Sequence, residues 1–268
     1  MRVGFIGLGV QGKGLAINLA QAGYDIMVRD VREEPMKDLA AVGARVAKSV
    51  REVGEHGEIV EVCVVDDAQV EQVVLGDDGV LAGAHAGTII AIHSTVHPDT
   101  IARVAARARE RNVEVLDAAV SGSEAGARNK TMCYMVGGSK EAFEKCRPLF
   151  ATSGNRIHHA GELGAGIRAK LAHQVIIGIN MLSAFEGMRL GVKSGVSADA
   201  LEAVISDGAA QSLVADHWQN FRPGAHAMQL FYKDLRLALD FAHSIGIEMP
   251  GAALAQQLLR EVLRLDES

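Results

Sequence analysis

Gly7, Gly9 and Gly12 stand in a G-x-G-x-x-G spacing, with Leu8, Val10 and Gln11 between them. Residues 3–6 before the loop are apolar, and Leu15, Ala16, Leu19 and Ala20 behind it step at helical intervals. Strand, glycine turn and helix in that order suit a pyrophosphate. Gly7 permits a tight turn, Gly9 lets backbone approach the phosphates, and Gly12 lets helix and strand pack closely. The first N–H groups of the helix, with Val10 and Gln11 in the same loop, then face the anion. Asp30 follows a second strand over residues 25–29. A carboxylate there accepts both hydroxyls of an adenosine ribose and repels a 2′-phosphate, so NAD is the expected cofactor. Arg29 and Arg32 leave NADP open, because a guanidinium can take a phosphate.

A second set of candidates lies downstream. Lys170 stands on a helical pattern otherwise built for burial, either as an acid or base in an apolar site or as a lysine snorkelling to solvent. His173 follows three residues on and faces the same side of that helix, as a substrate ligand or as a packed histidine. Gln174 beside it can donate and accept. Ser121 and Gly122, in a loop after a buried strand, offer a hydroxyl and backbone N–H groups to a carboxylate, or simply make a turn. Lys233 and Asp234 open a helix, as site charges or as ordinary helix-surface charges. Phe231 and Tyr232 read as core or as pocket cover. His93 and His97 flank a turn and His158-His159 ends a strand; with no third ligand at a sensible spacing, no metal site is expected. Asp66-Asp67 and Asp77-Asp78 read as solvated loops.

These side chains need a scaffold. Residues 3–6, 25–29, 59–65, 88–92, 113–116, 133–136 and 157–159 read as strands, with helices between them such as 98–111 and 140–150. That alternation predicts an α/β fold, a Rossmann-type doubly wound, mostly parallel sheet over residues 1–161. After Gly161 strand signals cease. Leu163, Ile167, Leu171, Val175, Ile179 and Leu182 step by three or four residues, with Ile176, Ile177, Met181 and Phe185 on other faces. A long helix over 162–192 that is apolar nearly all round should be buried. Further helices near 198–206, 228–244 and 252–265 make residues 193–268 an all-helical second domain. So long a buried helix needs more cover than a small domain supplies, which predicts a homodimer or higher homo-oligomer through the helical domain.

Composition narrows the partners. The 268 residues are 49% hydrophobic, carry a formal net charge of −6 and are only 4% aromatic, so neither a basic footprint nor stacking platforms for nucleic acid are present. No uninterrupted apolar stretch is of membrane-spanning length, and no membrane association is expected. The first apolar run is already strand and loop rather than a signal peptide. Cys63, Cys133 and Cys146 have no metal or redox spacing and read as reduced thiols of a cytoplasmic protein.

Together the motifs resemble the β-hydroxyacid dehydrogenase family, which is related to 6-phosphogluconate dehydrogenase and to imine reductases, over nearly the whole chain. Gly7, Gly9, Gly12, Ala16, Asn18, Leu19, Ala22 and Gly23 match its opening pattern, whose usual Met before the third glycine is Gln11 here. Ser94-Thr95-Val96 matches the family's STV turn. Residues 117–123, DAAVSGS, resemble its substrate loop DAPVSGG, with Ser123 in place of a glycine. Gly164-x-Gly166 followed by Lys170 resembles its catalytic helix, and Lys233-Asp234-Leu235-Arg236-Leu237 its KDLRL motif.

The resemblance implies an NAD-dependent oxidoreductase that interconverts a small β-hydroxy or similar carboxylic acid and its semialdehyde or keto form. Cofactor and substrate would meet in a cleft between the domains. Ser94, Thr95 and Asp234 would lie beside the cofactor. Ser121, Gly122, Ser123, Lys170, His173, Gln174 and Lys233 would face a small anionic substrate. Lys170 would hold the substrate hydroxyl and take its proton as hydride leaves for the nicotinamide. As a base near neutrality, a lysine must drop about three units from its ordinary value near 10.4, roughly 4 kcal/mol of differential interaction. Burial, the cationic nicotinamide ring and Lys233 are the available causes.

The chain also departs from the pattern. The family usually carries two consecutive Asn residues where His173 and Gln174 stand. The 6-phosphogluconate enzymes do carry Lys-x-x-His, but with a Glu where Ile177 lies here and with a far larger helical domain. Imine reductases usually lack the lysine at position 170. The departures keep two alternatives open: a nucleotide-binding sensor with degraded catalysis, and an imine reductase.

Overall fold

The computed structural model describes residues 1–223 and 225–263. It divides into two compact units, Met1–Lys170 and Leu171–Ser268. The first unit runs β1 (Arg2–Ile6), α1 (Gly12–Gln21), β2 (Asp25–Arg29), α2 (Glu33–Ala41), β3 (Arg45–Val46), α3 (Val50–His56), β4 (Ile59–Val62), α4 (Asp67–Leu75) and α5 (Val80–Gly83). It continues with β5 (Ile89–Ile92), α6 (Pro98–Arg109), β6 (Glu114–Ser121), α7 (Ser123–Asn129), β7 (Cys133–Gly137), α8 (Lys140–Phe150) and β8 (Arg156–Gly161). The eight strands form one sheet in the order β3-β2-β1-β4-β5-β6-β7-β8. All pairs are parallel except β6 with β7. The sheet is therefore the doubly wound, mostly parallel one that the alternation of elements predicts.

Strand order reverses between β2-β1 and β4, which is where such sheets open a crevice at their carboxyl ends. The glycine loop leaves β1 at that point. Central strands are buried along their whole length because helices cover both faces, and β4 and β5 show this in the uninterrupted runs Ile59–Val62 and Ile89–Ile92. One face packs Val3, Phe5, Val28 and Leu116 with Leu15, Leu19 and Phe150. The other packs Ile6, Val60, Val62, Ile90 and Ile92 with Val53, Val70, Ile101 and Val104. Ser49, Asp66 and Ser139 cap α3, α4 and α8 by accepting a backbone N–H three residues on.

Three local expectations change. β6 extends to Ser121, because its second half pairs with β7. Both residues of β3 are exposed, so that edge strand has no buried pattern to reveal it. Asp66 and Asp67 are not a solvated loop. Asp66 caps α4, and Asp67 Oδ1 accepts the His97 N–H and the Thr100 hydroxyl, each at 2.7 Å.

His93 is buried against Glu61, Nε2 to Oε2 at 3.0 Å, while Nδ1 lies 2.8 Å from the Ala118 carbonyl. A carbonyl only accepts, so Nδ1 carries a hydrogen. The pair thereby links β4, the end of β5, and β6.

The second unit contains most of α9 (Ala165–Lys193), then α10 (Ala198–Asp207), α11 (Ala225–Ser244), α12 (Pro250–Gln257) and α13 (Leu259–Val262). The helix expected over 252–265 is thus two helices meeting at Leu258, and its positions 264–265 lie outside the described residues. Met181, Leu182, Phe185 and Met188 of α9 build the core with Trp218, Leu235, Ala252 and Leu259. Burial of α9 is one-sided within this chain: Ile176, Ile179 and Leu190 are exposed. By length and composition α9 is long and apolar enough to cross a membrane, but Arg168, Lys170, Glu186 and Arg189 interrupt its apolar run and its buried face serves the core of this unit.

Candidate active site

The three loop glycines have three different reasons to be glycine. Gly7 has φ +91°, and a side chain there would run into the Cys63 carbonyl. A side chain at Gly12 would strike the Gly7 carbonyl. At Gly9 a Cβ would meet nothing within 4 Å, so the space above it is open. Helix α1 has no side-chain cap at Gln11 and no acid in its first turn, and Val10 is exposed. An open approach over Gly9 and an uncapped helix start fit a dinucleotide pyrophosphate. Cys63 beneath the loop is inert: burial, and then Glu61, push its thiol up to about 12 against an opposing hydrogen bond from the Gly12 N–H.

Asp30 is buried where β2 ends, and its carboxylate is already occupied. Oδ2 accepts the Leu8 N–H at 2.6 Å, and Oδ1 accepts the Arg32 N–H at 2.8 Å and its Nε at 3.0 Å. A terminal guanidinium nitrogen of Arg32 reaches Oδ2 at 3.2 Å and the Leu8 carbonyl at 2.9 Å. Burial works to raise the pKa of this carboxyl, but the hydrogen bonds from Arg32 and Leu8 outweigh it and hold the group below the usual range. A ribose hydroxyl that sought Asp30 would compete with Arg32, whose side chain is mostly exposed.

Ser94 does not present its hydroxyl outward. Its Oγ accepts the Val64 N–H at 2.9 Å and ties together the segments following β4 and β5. Thr95 beside it is half-buried.

At the far end of β6, Ser121 is the last strand residue rather than part of a loop, and it is paired with Cys133. Gly122, at φ +145°, and Ser123, at φ +58°, are exposed. Ser123 takes left-handed backbone that glycine would adopt without strain. Lys170 lies in the second turn of α9 with only 7% of its surface exposed. Its charge is felt at Cys133: burial raises that thiol's pKa, while Arg156 and Lys170 pull against the rise. Lys170 is on the helix whose start is held by Asp117 of β6, and Ser121 ends that same strand. Cys133 was legible only as a structural thiol, because the antiparallel register that sets it against Ser121 leaves no local signature.

The second unit holds a polar line. Gln174 Nε2 donates to Asp234 Oδ2 at 2.7 Å, and Asp234 Oδ1 lies 2.9 Å from Lys233 Nζ. The Gln174 amide nitrogen is thus committed to a carboxylate, which leaves Oε1 as the acceptor for His173 Nδ1 at 3.0 Å. Nδ1 must therefore carry a hydrogen. Gly178 lets α9 approach α11, since a Cβ there would stand 3.0 Å from Leu235 Cδ2. Lys233 and Asp234 lie in the third turn of α11 rather than at its start. Asp234, expected beside the cofactor, has its carboxylate engaged by Gln174 and Lys233. Phe231 packs on the core, and Tyr232 is exposed. Among the described residues no group of three or more His, Cys, Asp or Glu could hold a metal.

Comparison with known proteins agrees over the full length. A family model described as the NAD binding domain of 6-phosphogluconate dehydrogenase matches residues 2–161. Another, described as the NAD-binding domain of NADP-dependent 3-hydroxyisobutyrate dehydrogenase, matches residues 164–267. An NAD-dependent L-serine dehydrogenase of Pseudomonas aeruginosa is 37% identical, over 98% of this chain and 92% of that protein. A 2-hydroxy-3-oxopropionate reductase of Escherichia coli is 35% identical, over 96% and 90%. The solved 3-hydroxyisobutyrate dehydrogenase of Mycobacterium tuberculosis with L-serine has a TM-score of 0.87 and 27% identity, over 97% of this chain and 93% of that one.

Proposed function

The chain belongs to the β-hydroxyacid dehydrogenase family, and from that premise we propose that it interconverts a small β-hydroxy carboxylic acid and its semialdehyde, with Lys170 as the general acid and base. It is a nicotinamide-dependent dehydrogenase or reductase acting on CH–OH groups. The acids in the names of its relatives are L-serine, 3-hydroxyisobutyrate and 2-hydroxy-3-oxopropionate. In each, the reacting carbon lies two bonds from the carboxylate carbon. That shared skeleton is the substrate class assigned here.

The observation that carries the reading is the burial of Lys170 on the helix whose start is held to β6, the strand that ends at Ser121. In this assignment Ser121 and Gly122 hold the carboxylate. Lys170 Nζ accepts the hydroxyl proton as the carbon gives up hydride, and in the reducing direction the ammonium returns that proton to the forming alkoxide. Bound NAD or NADP supplies the hydride acceptor or donor.

One observation favours a wider cofactor range than NAD alone. Arg32 neutralises Asp30 and stands exposed beside it, so a 2′-phosphate would meet a guanidinium there as well as a carboxylate.

The test is a steady-state panel: L-serine, 3-hydroxy acids and their semialdehydes, and cyclic imines, each with NAD(H) and NADP(H). Turnover of hydroxy acids, abolished in Lys170→Met, supports the reading. Turnover of imines alone would replace it with imine reduction. Tight cofactor binding with no turnover on any compound would replace it with a sensor role. A Lys170→Met protein as fast as wild type removes the lysine from the chemistry.

A further inference from the structure

Asp117 is buried at 1% exposure in the middle of β6 and takes no part in the mechanism above. Its two carboxylate oxygens reach across to the start of α9. Oδ1 accepts the Gly164 N–H and Oδ2 the Ile167 N–H, both at 2.7 Å. These are among the N–H groups that a helix leaves without internal partners, so the carboxylate caps α9 from a neighbouring strand. The backbone is built to allow it. A Cβ at Gly137, the register partner of Asp117, would sit 2.6 Å from Asp117 Oδ1 and 2.7 Å from the Gly166 nitrogen. A side chain at Gly166 would strike the Asp117 carbonyl. The first turn of α9 thus lies directly on β6 and β7, with no side chain between them.

Two functional elements run outward from this contact. Along β6, four residues on, the strand ends at Ser121, about 13 Å away. Along α9, Lys170 comes three residues after Ile167, about 4.5 Å of helical rise. Cys133 pairs with Ser121, and the charge of Lys170 works against the rise that burial gives its thiol.

We propose that Asp117 is a positioning residue: its carboxylate clamps the start of α9 to β6 and so sets where the Lys170 ammonium stands relative to Ser121. The clamp rests on the assignment of Lys170 above for its effect on turnover, but not for its effect on Cys133. Asp117→Asn keeps the shape and replaces one acceptor with an NH2 that faces a backbone N–H, so one of the two bonds is lost.

The experiment measures three things in wild type, Asp117→Asn, Asp117→Glu and Lys170→Met. They are NADH binding by fluorescence, kcat and KM on the best substrate of the panel, and the pH dependence of Cys133 alkylation with Cys63 and Cys146 replaced by Ala. In Asp117→Asn, kcat falls at least tenfold, NADH affinity stays within twofold, and the alkylation midpoint of Cys133 moves upward in the direction given by Lys170→Met. Asp117→Glu, which retains both acceptors on a longer arm, recovers part of each. Should Asp117→Asn fail to fold, the Cys133 midpoint of Asp117→Glu against wild type is the deciding measurement. An unmoved midpoint in the folded variant overturns the clamp, whatever happens to turnover. A moved midpoint with unchanged kcat, in a protein whose Lys170→Met form is also fully active, upholds the clamp and rejects the catalytic lysine instead.

Discussion

Asp30 and Asp117 are both buried carboxylates of the first unit, both take backbone N–H groups, and they are driven in opposite directions. At the nucleotide end, Asp30 has the Arg32 guanidinium, and its pKa is lowered although burial works the other way. At the helix end, Asp117 has the Gly164 and Ile167 N–H groups, and burial wins, so its pKa is raised. Neutral donors can orient a carboxylate, but they do not replace its lost hydration as a guanidinium does. The lesson extends to function. On the assignments proposed above, the nucleotide end tolerates charge near solvent, whereas the helix end is a buried scaffold that aims Lys170.

The largest effect separates chemistry from binding. Lys170→Met should lower kcat by about 10²–10⁴-fold and leave NADH affinity unchanged, as read by steady-state kinetics and fluorescence titration. A variant that loses NADH binding as well would break the division between the two ends.

Next comes the glycine loop, where packing and ligand access are separable. Gly7→Ala should destabilise the protein by about 3 kcal/mol or more in urea unfolding, because it combines a left-handed backbone with a clash on Cys63. Gly9→Ala should leave stability within about 0.5 kcal/mol, since nothing surrounds that position, yet weaken NADH binding at least tenfold.

A smaller effect distinguishes the two acids by pH. The lowered pKa of Asp30 stabilises the fold above the ordinary carboxylate range, and this contribution is lost as pH falls through the folded value. Arg32→Leu should therefore be less stable than wild type by about 1 kcal/mol near neutrality, with the gap closing below about pH 4. The same variant should bind NADPH less well relative to NADH. For Asp117 the sign reverses: its raised pKa gives a contribution present at low pH that is lost as pH rises through the folded value. Asp117→Asn should lack that downward slope in a series of urea melts.

The smallest effect concerns the second unit. We propose self-association through the outer face of α9, where Ile176, Ile179 and Leu190 are exposed. Ile176→Glu should shift the mass seen by light scattering towards monomer without altering the far-ultraviolet circular dichroism. A wild-type protein that is monomeric at every concentration would remove the proposal.

Much of this was legible in the chain because it is written locally. The G-x-G-x-x-G turn, the apolar runs of β1, β2, β4 and β5 and the three-and-four stepping of α9 each lie within a short window. Each also follows from a single periodicity or a single φ requirement. By sequence Ser121 reads as a loop residue rather than a strand end, Asp66 as a solvated residue rather than a cap, and the break at Leu258 does not show at all. There the deciding factor is a partner such as β7 or a turn, not the intrinsic pattern.

What the sequence determined by itself is the class of fold and a dinucleotide-type glycine loop, since glycine positions and hydrophobic period are properties of residue type and spacing; the kind of chemistry came from the resemblance of its motifs to a family. What only the tertiary structure decided is which groups meet. Arg32 closes on Asp30, Gln174 bridges His173 to Asp234, and Asp117 reaches Gly164 and Ile167 across 47 and 50 positions of chain. Hydrogen bonds act over about 3 Å, and chain separation carries no information about which distant groups will come within that range until the sheet and helices have packed.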